Sequence, residues 1–269
     1  MAIYRYAETT LSARFRALEW TSKGPNDGSR MTRECHVRFC EGLAGRFRRS
    51  THPFLATAIV GIFFRLYLIM DIYSRKIVGW EIHENETADH AALLIRKACL
   101  AEGISMQDLV LHSDNGSPMK GATMLAMLQR LGIVPSFSRP SVSNDNPYSE
   151  SLFGTMKYTP AYPSKPFERL AAAREWVDEF VHWYNEEHRH SGIQFVTPAQ
   201  RHSGAEKLIL MNRKVVYESA KQRNPERWSR ETRNWEPVSK VWLNPEKSET
   251  EEQEVREKVG QLYRWQIII

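Results

Sequence analysis

Two acidic residues, Asp114 and Glu150, lie in positions from which their carboxylates could bind a metal ion together. Asp114 follows the apolar run 109–111 and enters an Asn-Gly turn, and Glu150 follows the turn-rich loop 141–146 at the expected start of a helix. The 35 residues between them can hold one helix and one strand, which would return both acids to one edge of a sheet. Carboxylate oxygens suit Mg²⁺, which keeps several waters and takes further ligands from substrate phosphates. The pair predicts a metal site.

Three neighbours extend this candidate site. Lys157 comes nearly two helical turns after Glu150, so both face the same way, and we expect it to contact phosphate, a solvated surface lysine being the alternative. His112 precedes Asp114 by two residues and so shares its strand face. Arg139 precedes the loop, and we group it with Lys157 and His112 as the residues expected to contact the phosphates of a polyanion.

The elements that must position these residues begin at Gly61. The apolar run 62–70 predicts a buried strand, and a turn leads into a second, antiparallel strand. Apolar periodicity and closing glycines then predict two helices with a strand after the second. The predicted ranges after the first strand are 77–82 for a strand, 87–102 and 121–131 for helices, and 133–137 for a strand.

Two further helices follow. Asn146 is suited to the N-cap and Pro147 to the first helical position, which places Glu150 in the first turn or so. Residues 167–185 carry apolar residues spaced by three and four, so this helix is expected to pack rather than to bind.

Charge, cysteine content and hydrophobicity limit the classes of binding partner and the cellular compartments that we expect. A net charge of +5 and a pI of about 9.1 favour polyanions, although a merely basic protein would show the same values. Three cysteines (Cys35, Cys40 and Cys99) are too few for a disulfide framework, and their spacing does not predict zinc. No apolar run can span a bilayer and no signal peptide is evident, so we expect a cytosolic protein without membrane contact.

The two ends of the chain differ from its centre. Residues 1–60 show no sustained period and stay unassigned. Residues 206–240 carry nine Lys/Arg against five Asp/Glu, with Tyr217, Trp228 and Trp235 interleaved, and we expect the part from Arg213 to Arg233 to bind phosphates. Residues 246–258 are acid-rich.

About two thirds of the chain resembles an insertion-sequence transposase of the second-frame (orfB) type, with a retroviral-integrase-like DDE catalytic core. The matching features are the segment 68–80, His112-Ser113-Asp114-Asn115-Gly116-Ser117, the loop ending in Glu150, Lys157, and Trp183-Tyr184-Asn185 with 188–192. The interval from Asp114 to Glu150 equals the one typical of these enzymes.

The resemblance implies an α/β, ribonuclease-H-like fold: a five-stranded mixed sheet flanked by helices, its first three strands antiparallel. It also implies Mg²⁺ (or Mn²⁺) at the acidic residues, phosphodiester cleavage followed by strand transfer, element ends and target DNA as partners, and a homo-oligomer on DNA in the bacterial cytoplasm at the nucleoid. We divide the chain into 1–60 (unassigned), 61–204 (catalytic core) and 205–269 (carboxyl-terminal extension).

The sequence departs from this family at the first carboxylate. The family has it on the first strand, near 51–58 here, but no Asp occurs between Gly28 and Met70. A shifted reading frame fused to an intact downstream frame would explain the break at Gly61. Asp71 is a turn residue or a substitute acid. The irregular spacing of His182, His188 and His190 favours solvent-exposed side chains or contacts to the DNA backbone over a metal site.

Two alternatives from other classes stay open. A ribonuclease-H-type nuclease would share the acids but would not join strands. A catalytically inactive DNA-binding remnant would keep the fold and the basic surface, and the missing Asp favours it. If the chain is a transposase, loss of the first acid predicts impaired activity.

Overall fold

The computed structural model describes residues 54–104, 109–114, 117–138, 147–238, 241, 243 and 263–268, with 117–118 and 263–268 described by their backbone. Arg139, Asn146, the Asn115-Gly116 turn and the acid-rich stretch 246–258 lie outside these residues, as does nearly all of the unassigned amino-terminal segment. The strands are β1 (Phe54–Ala56), β2 (Phe63–Asp71), β3 (Ile77–His83), β4 (Leu109–Ser113), β5 (Val134–Phe137) and β6 (Tyr263–Ile268).

Seven α-helices fall within the described ranges. They are α1 (Ala88–Glu102), α2 (Ser117–Lys120), α3 (Ala122–Leu131), α4 (Pro147–Tyr158), α5 (Leu170–Glu186), α6 (Pro198–His202) and α7 (Glu206–Arg223). Local signals explain their ends. Thr87 caps α1 by accepting a hydrogen bond from the His90 N–H, and Gly103 and Gly132 close α1 and α3 in the left-handed conformation.

One mixed sheet organises these elements. β2 pairs antiparallel with β3 on one edge and with β1 and β6 on the other. β6 also pairs parallel with β4, which pairs parallel with β5. The prediction that the first three strands are antiparallel is confirmed. The predicted number of five strands is wrong, because β6, from the far end of the chain, joins the sheet as a sixth.

Alternate residues of β2 supply a core on each face of the sheet. Leu66, Leu68 and Met70 pack with α4 and α5, whereas Tyr67 and Ile69 pack with α1 and α3. All five are at most 1% exposed, as the apolar run predicted for a strand buried on both faces. The result is a three-layer arrangement in which helices cover both faces of the sheet.

A third, smaller cluster lies under the carboxyl-terminal helices. Ile193, Val196, Leu210 and Trp235 are buried together, with Ile209 packed against them. No helix in the described ranges is long and apolar enough to cross a membrane.

Candidate functional site

Asp114 is positioned by strand β4, which ends at the preceding residue. Leu109 and Leu111 pack with α1 and α3, so strand alternation directs His112 to the opposite face. His112 is buried, with Nδ1 3.0 Å from the Ser136 Oγ atom and Nε2 3.4 Å from the Ser138 Oγ atom. The imidazole therefore ties β4 to the chain around β5, and Asp114 follows, half-buried, directly after the strand.

Helix α4 carries the second acid on that same side of the sheet. Leu152, Phe153 and Met156 are buried in the core that α4 shares with β2 and α5, which fixes the helix against the face opposite α1. Glu150 lies in the first turn and is exposed. The predicted helix start at Pro147 is confirmed. α4 thus covers the sheet face to which alternation directs His112.

Lys157 lies in the last turn of α4 and is half-buried, and this burial lowers the pKa of its ammonium group. Between it and Glu150, Gly154 leaves open space where a side chain would stand. A long substrate could therefore approach the helix along this line without meeting a bulky side chain.

A turn residue anchors the start of α4. Arg75, in the turn between β2 and β3, has a φ of 69°, and its guanidinium carbon lies 3.7 Å from the centre of the Tyr148 ring. Burial lowers the pKa of Arg75. Stacking a cation on an aromatic ring at a desolvated position is favourable by about 2 kcal/mol. The turn is thereby linked to the helix that carries Glu150.

Asp71 has other partners. Its carboxylate accepts hydrogen bonds from the backbone N–H groups of Tyr73 and Ser74 and from the Ser74 hydroxyl, and it lies 3.3 Å from His202 Nδ1. Burial would raise the pKa of Asp71, but the hydrogen bonds from His202 and Ser74 outweigh it and lower the pKa. These bonds favour the turn-residue interpretation over a substitute metal ligand.

The contacts of Asp71 continue into a polar cluster, Asp71–Ser74–His202–Glu102–Lys76. His202 Nε2 lies 2.8 Å from Glu102, which also accepts a 2.8 Å bond from the Lys76 ammonium group. The bond to Asp71 raises the pKa of His202 against the opposing effect of burial, with Glu102 adding to the increase. The cluster fastens α6 to the ends of β2 and α1.

Of the three histidines near the end of α5, His188 and His190 are neighbours, with ring centres 5.9 Å apart, whereas His182 stands apart. His182 is exposed, His188 stacks on Tyr184, and His190 accepts a hydrogen bond from the Gly192 N–H. Burial, with Arg75 and His188 nearby, lowers the pKa of His190 to about 4. Among the described residues no group of three or more His, Cys, Asp or Glu could hold a metal ion.

Asn185, near the end of α5, has a structural role. Its amide accepts a hydrogen bond from the Ile77 N–H and donates one to the Ile77 carbonyl, both at 2.9 Å. In the sequence, Asn185 stands at the end of an expected packing helix and in a segment that resembles the transposases. In the structure it fixes α5 to the start of β3.

The basic region around α7 is partly used within the fold. Arg213 donates to the carbonyls of Gln194 and Phe195, and ion pairs join Lys214 to Glu236 and Lys221 to Glu231. The interleaved aromatic residues pack on one another, with ring centres of Tyr217 6.0 Å from Trp228 and 5.2 Å from Trp235. The exposed cations of this region include Arg223, Arg227 and Arg230.

The sheet position beside β4 carries no acid. β1 begins at Phe54 and consists of Phe, Leu and Ala, and Gln266 of β6 stands between Met70 and His112 in the register. The three signals that pattern reasoning missed are the Asp71–His202 contact, the role of Asn185 and β6. The sequence predicts the turn at Asp71, but the distant partner of that residue, His202, leaves no local signal.

Comparison with known families identifies the centre of the chain. Two family models, each described as an integrase core domain, match this chain, one over residues 44–143 and the other over residues 131–198. Together these matches cover more than half of the chain. The first begins before Gly61, and β1 also lies upstream of that residue. Residues 44–198 are therefore similar to integrase core domains.

Individual relatives are consistent with this assignment. The transposase for insertion sequence element IS904 of Lactococcus lactis is 29% identical over 136 residues, covering 49% of this chain and 53% of the relative. A transposase-like protein of Haemophilus influenzae is 27% identical over 137 residues, covering 50% and 62%. The resemblance to an insertion-sequence transposase with an integrase-like core is confirmed. The chain spans about half the length of the curated relatives it matches.

Solved structures with similarity include viral integrases. The simian T-cell lymphotropic virus intasome, in complex with a PP2A regulatory subunit, gives a TM-score of 0.44 at 17% identity, covering 58% of this chain and 56% of that chain. The HTLV-2 integrase catalytic core in complex with magnesium gives 0.37 at 16% identity, covering 51% and 82%.

Proposed function

We propose that this chain is a transposase of an insertion sequence, a polynucleotidyl transferase that cleaves phosphodiester bonds of DNA and transfers the cut strand. The observation that carries the proposal is the placement of Asp114 and Glu150. Asp114 follows β4, and Glu150 lies in the first turn of α4, which packs on the sheet face opposite α1. Both acids lie within residues 44–198, which are similar to integrase core domains. We also propose the ribonuclease-H-like class for the fold.

The donor chemistry at this place fits a divalent cation. Asp114 and Glu150 would hold Mg²⁺ or Mn²⁺ through carboxylate oxygens, with waters and phosphate oxygens as further ligands. When bound, such an ion activates water and stabilises a leaving oxygen in phosphoryl transfer. The half-buried position of Asp114 limits the water around it, and the exposed Glu150 leaves the substrate side open.

Two acids rather than three support one ion rather than two. The residues that would flank a third ligand are Met70 and His112, and the chain supplies Gln266 between them. Loss of a preorganised stabilising group costs roughly 10²–10³ in rate in other enzymes. We therefore propose weak binding of one metal and slow turnover for the chain as it stands.

DNA would be held mainly through its phosphates. Lys157 would contact the strand that passes Glu150, and the exposed arginines at and after the end of α7 would extend the surface. From its sequence alone, Arg139 is proposed to contact phosphate as well. Binding of this kind releases counterions, so the association constant should fall steeply with salt. For each neutralised phosphate it should fall about tenfold when the salt concentration rises tenfold. A homo-oligomer on DNA in the bacterial cytoplasm, at the nucleoid, is part of the same proposal.

The domain division follows from this assignment. We keep 61–204 as the proposed catalytic core and 205–269 as its extension, with two adjustments at the sheet. β1 adds residues upstream of Gly61, and β6 brings the end of the extension into the same sheet.

The test compares acid variants with a matched control. Asp114→Asn and Glu150→Gln remove one charge each, and Glu186→Gln does the same at an exposed glutamate on α5. Mn²⁺ binding followed by electron paramagnetic resonance should weaken at least tenfold in the first two variants and stay unchanged in the third. Equal binding by all four proteins would refute the metal site.

Activity is tested separately on DNA carrying the ends of the element. Cleavage and joining should both depend on Mg²⁺ and should rise when residues 1–60 are replaced by an upstream frame that carries an Asp on the first strand. Cleavage without joining would favour a ribonuclease-H-type nuclease. Salt-sensitive DNA binding with neither reaction, with or without the replacement, would favour the inactive DNA-binding remnant, which the acid-free β1 also supports.

A further inference from the structure

The two halves of the sheet meet through a strand from the end of the chain. β1, β2 and β3 form one antiparallel unit and β4 and β5 a parallel one. In the strand order, β6 stands between β2 and β4 and pairs with both. Without β6, the facing edges of β2 and β4 would present unpaired N–H and C=O groups inside the molecule, which is costly.

β6 and β1 lie in line along one edge of β2. In the register, β6 covers β2 from Asp71 to Leu68, and β1 covers it from Arg65 to Phe63. Both run antiparallel to β2, so two separate segments of the chain occupy the edge of β2 that one long strand could cover. Only the positions of Leu66 and Tyr67 separate them.

The residues before β1 are poorly suited to extend it. An unbroken strand in the β1 register would set Pro53 opposite Leu66, Arg49 opposite Met70 and Arg48 opposite Asp71. Proline lacks the N–H that a ladder needs, and arginine in a dry position costs several kcal/mol.

The end of the chain has the opposite character. Tyr263–Ile268 reads Tyr-Arg-Trp-Gln-Ile-Ile, rich in residues that favour strands. In the register, Ile267 stands opposite Ile69 and Ile268 opposite Leu68. Ile69 and Leu68 of β2 are fully buried. The place between β2 and β4 thus suits an extended, largely apolar segment.

We propose that the gap between β2 and β4 is a strand-acceptor site whose ligand is the carboxyl-terminal segment Tyr263–Ile268, and that the site also binds this segment when it is supplied as a separate peptide. In the sequence, residues 244–262 separate this strand from the preceding part of the chain that the structure describes. Strand addition to an open edge is a general mode of peptide recognition. The proposal is independent of catalysis.

The first experiment tests the register in the full chain. In a background with Cys35, Cys40 and Cys99 changed to alanine, Met70→Cys with Gln266→Cys joins register partners, and Met70→Cys with Ile267→Cys is the mismatched control. Under mild oxidation the matched pair should form a disulfide at least tenfold faster, seen as a shift on a non-reducing gel. Equal rates would overturn the proposal.

The second experiment tests exchange. A protease site placed within 244–262 of the full chain allows the connection to be cut after folding, and a fluorescent peptide with the sequence of 263–269 is then added. Fluorescence anisotropy should show the peptide replacing the cut strand, with slow or absent binding to the uncut chain.

Two control peptides separate the causes of binding. N-methylation of three successive residues removes ladder donors while keeping the side chains, and Ile267→Lys keeps the donors but places a charge opposite buried Ile69. Both should bind at least tenfold more weakly than the parent peptide. Failure of the cut chain to take up the parent peptide, or equal binding of all three, would refute the strand-acceptor site.

Discussion

Replacement of His202 should reveal how the polar cluster around Asp71 stabilises the fold. The imidazole lies 3.3 Å from the Asp71 carboxylate and 2.8 Å from that of Glu102, and its side chain is 29% exposed. Hydrogen bonds to charged groups are worth about 1.5–3 kcal/mol each. Asp71 keeps its bonds from Ser74 and Glu102 keeps Lys76 when the ring is removed. We therefore expect His202→Ala to lower the free energy of unfolding by about 2 kcal/mol near pH 6.

The pH dependence has a definite sign. The folded-state pKa of His202 is raised, so its stabilisation is complete below the ordinary value of about 6.5 and is lost as the pH rises through the raised pKa. Asp71 and Glu102 have lowered pKa values, so their contribution is present above their ordinary values and is lost as the pH falls through the lowered ones. The cluster should be most stabilising between these limits.

Urea unfolding at pH 6 and pH 8.5 measures this effect. The wild-type protein should lose stability between the two values, by about 1.4 kcal/mol for each unit by which the His202 pKa is raised. His202→Gln, which cannot titrate, should lose less. His182→Ala, at an exposed histidine on α5, should stay within about 0.5 kcal/mol of wild type at both. An equal loss between pH 6 and pH 8.5 in wild type and His202→Gln would refute the reasoning.

Three further changes test local packing by the same urea assay. Asn185→Ala removes both bonds to Ile77 and should cost about 2–3 kcal/mol, since two buried backbone groups lose their partner, and a change below about 0.5 kcal/mol would contradict the role assigned to the amide. Gly154→Ala, in open space on α4, should stabilise by about 0.5–1 kcal/mol through helix propensity. Gly79→Ala should destabilise by about 1–3 kcal/mol, because its Cβ would stand 3.2 Å from the Ala98 Cβ atom, and stabilisation by both glycine changes would show that this contact relaxes freely.

Local chemistry made the main elements predictable from the sequence. Thr87 and Gly103 bound α1 where a capping residue and a left-handed glycine were expected, and the apolar run of β2 is buried on both faces. The helix start at Pro147 places Glu150 in its first turn for the same reason. These features depend on residues within a few positions of one another.

The tertiary structure alone decided which distant residues meet. Asp71 and His202 are 131 positions apart, and neither carries a local mark of the other. β6 follows β2 by nearly two hundred residues, and its pairing depends on two edges that exist only once β2 and β4 are folded. The family resemblance implies five strands, and nothing local marks 263–268 as a sixth, because a short segment of mixed polar and apolar residues gives the same signal whether it enters a sheet or not. The register of β6 against β2 and β4 depends on the burial of both faces of the sheet. It places Gln266 between Met70 and His112.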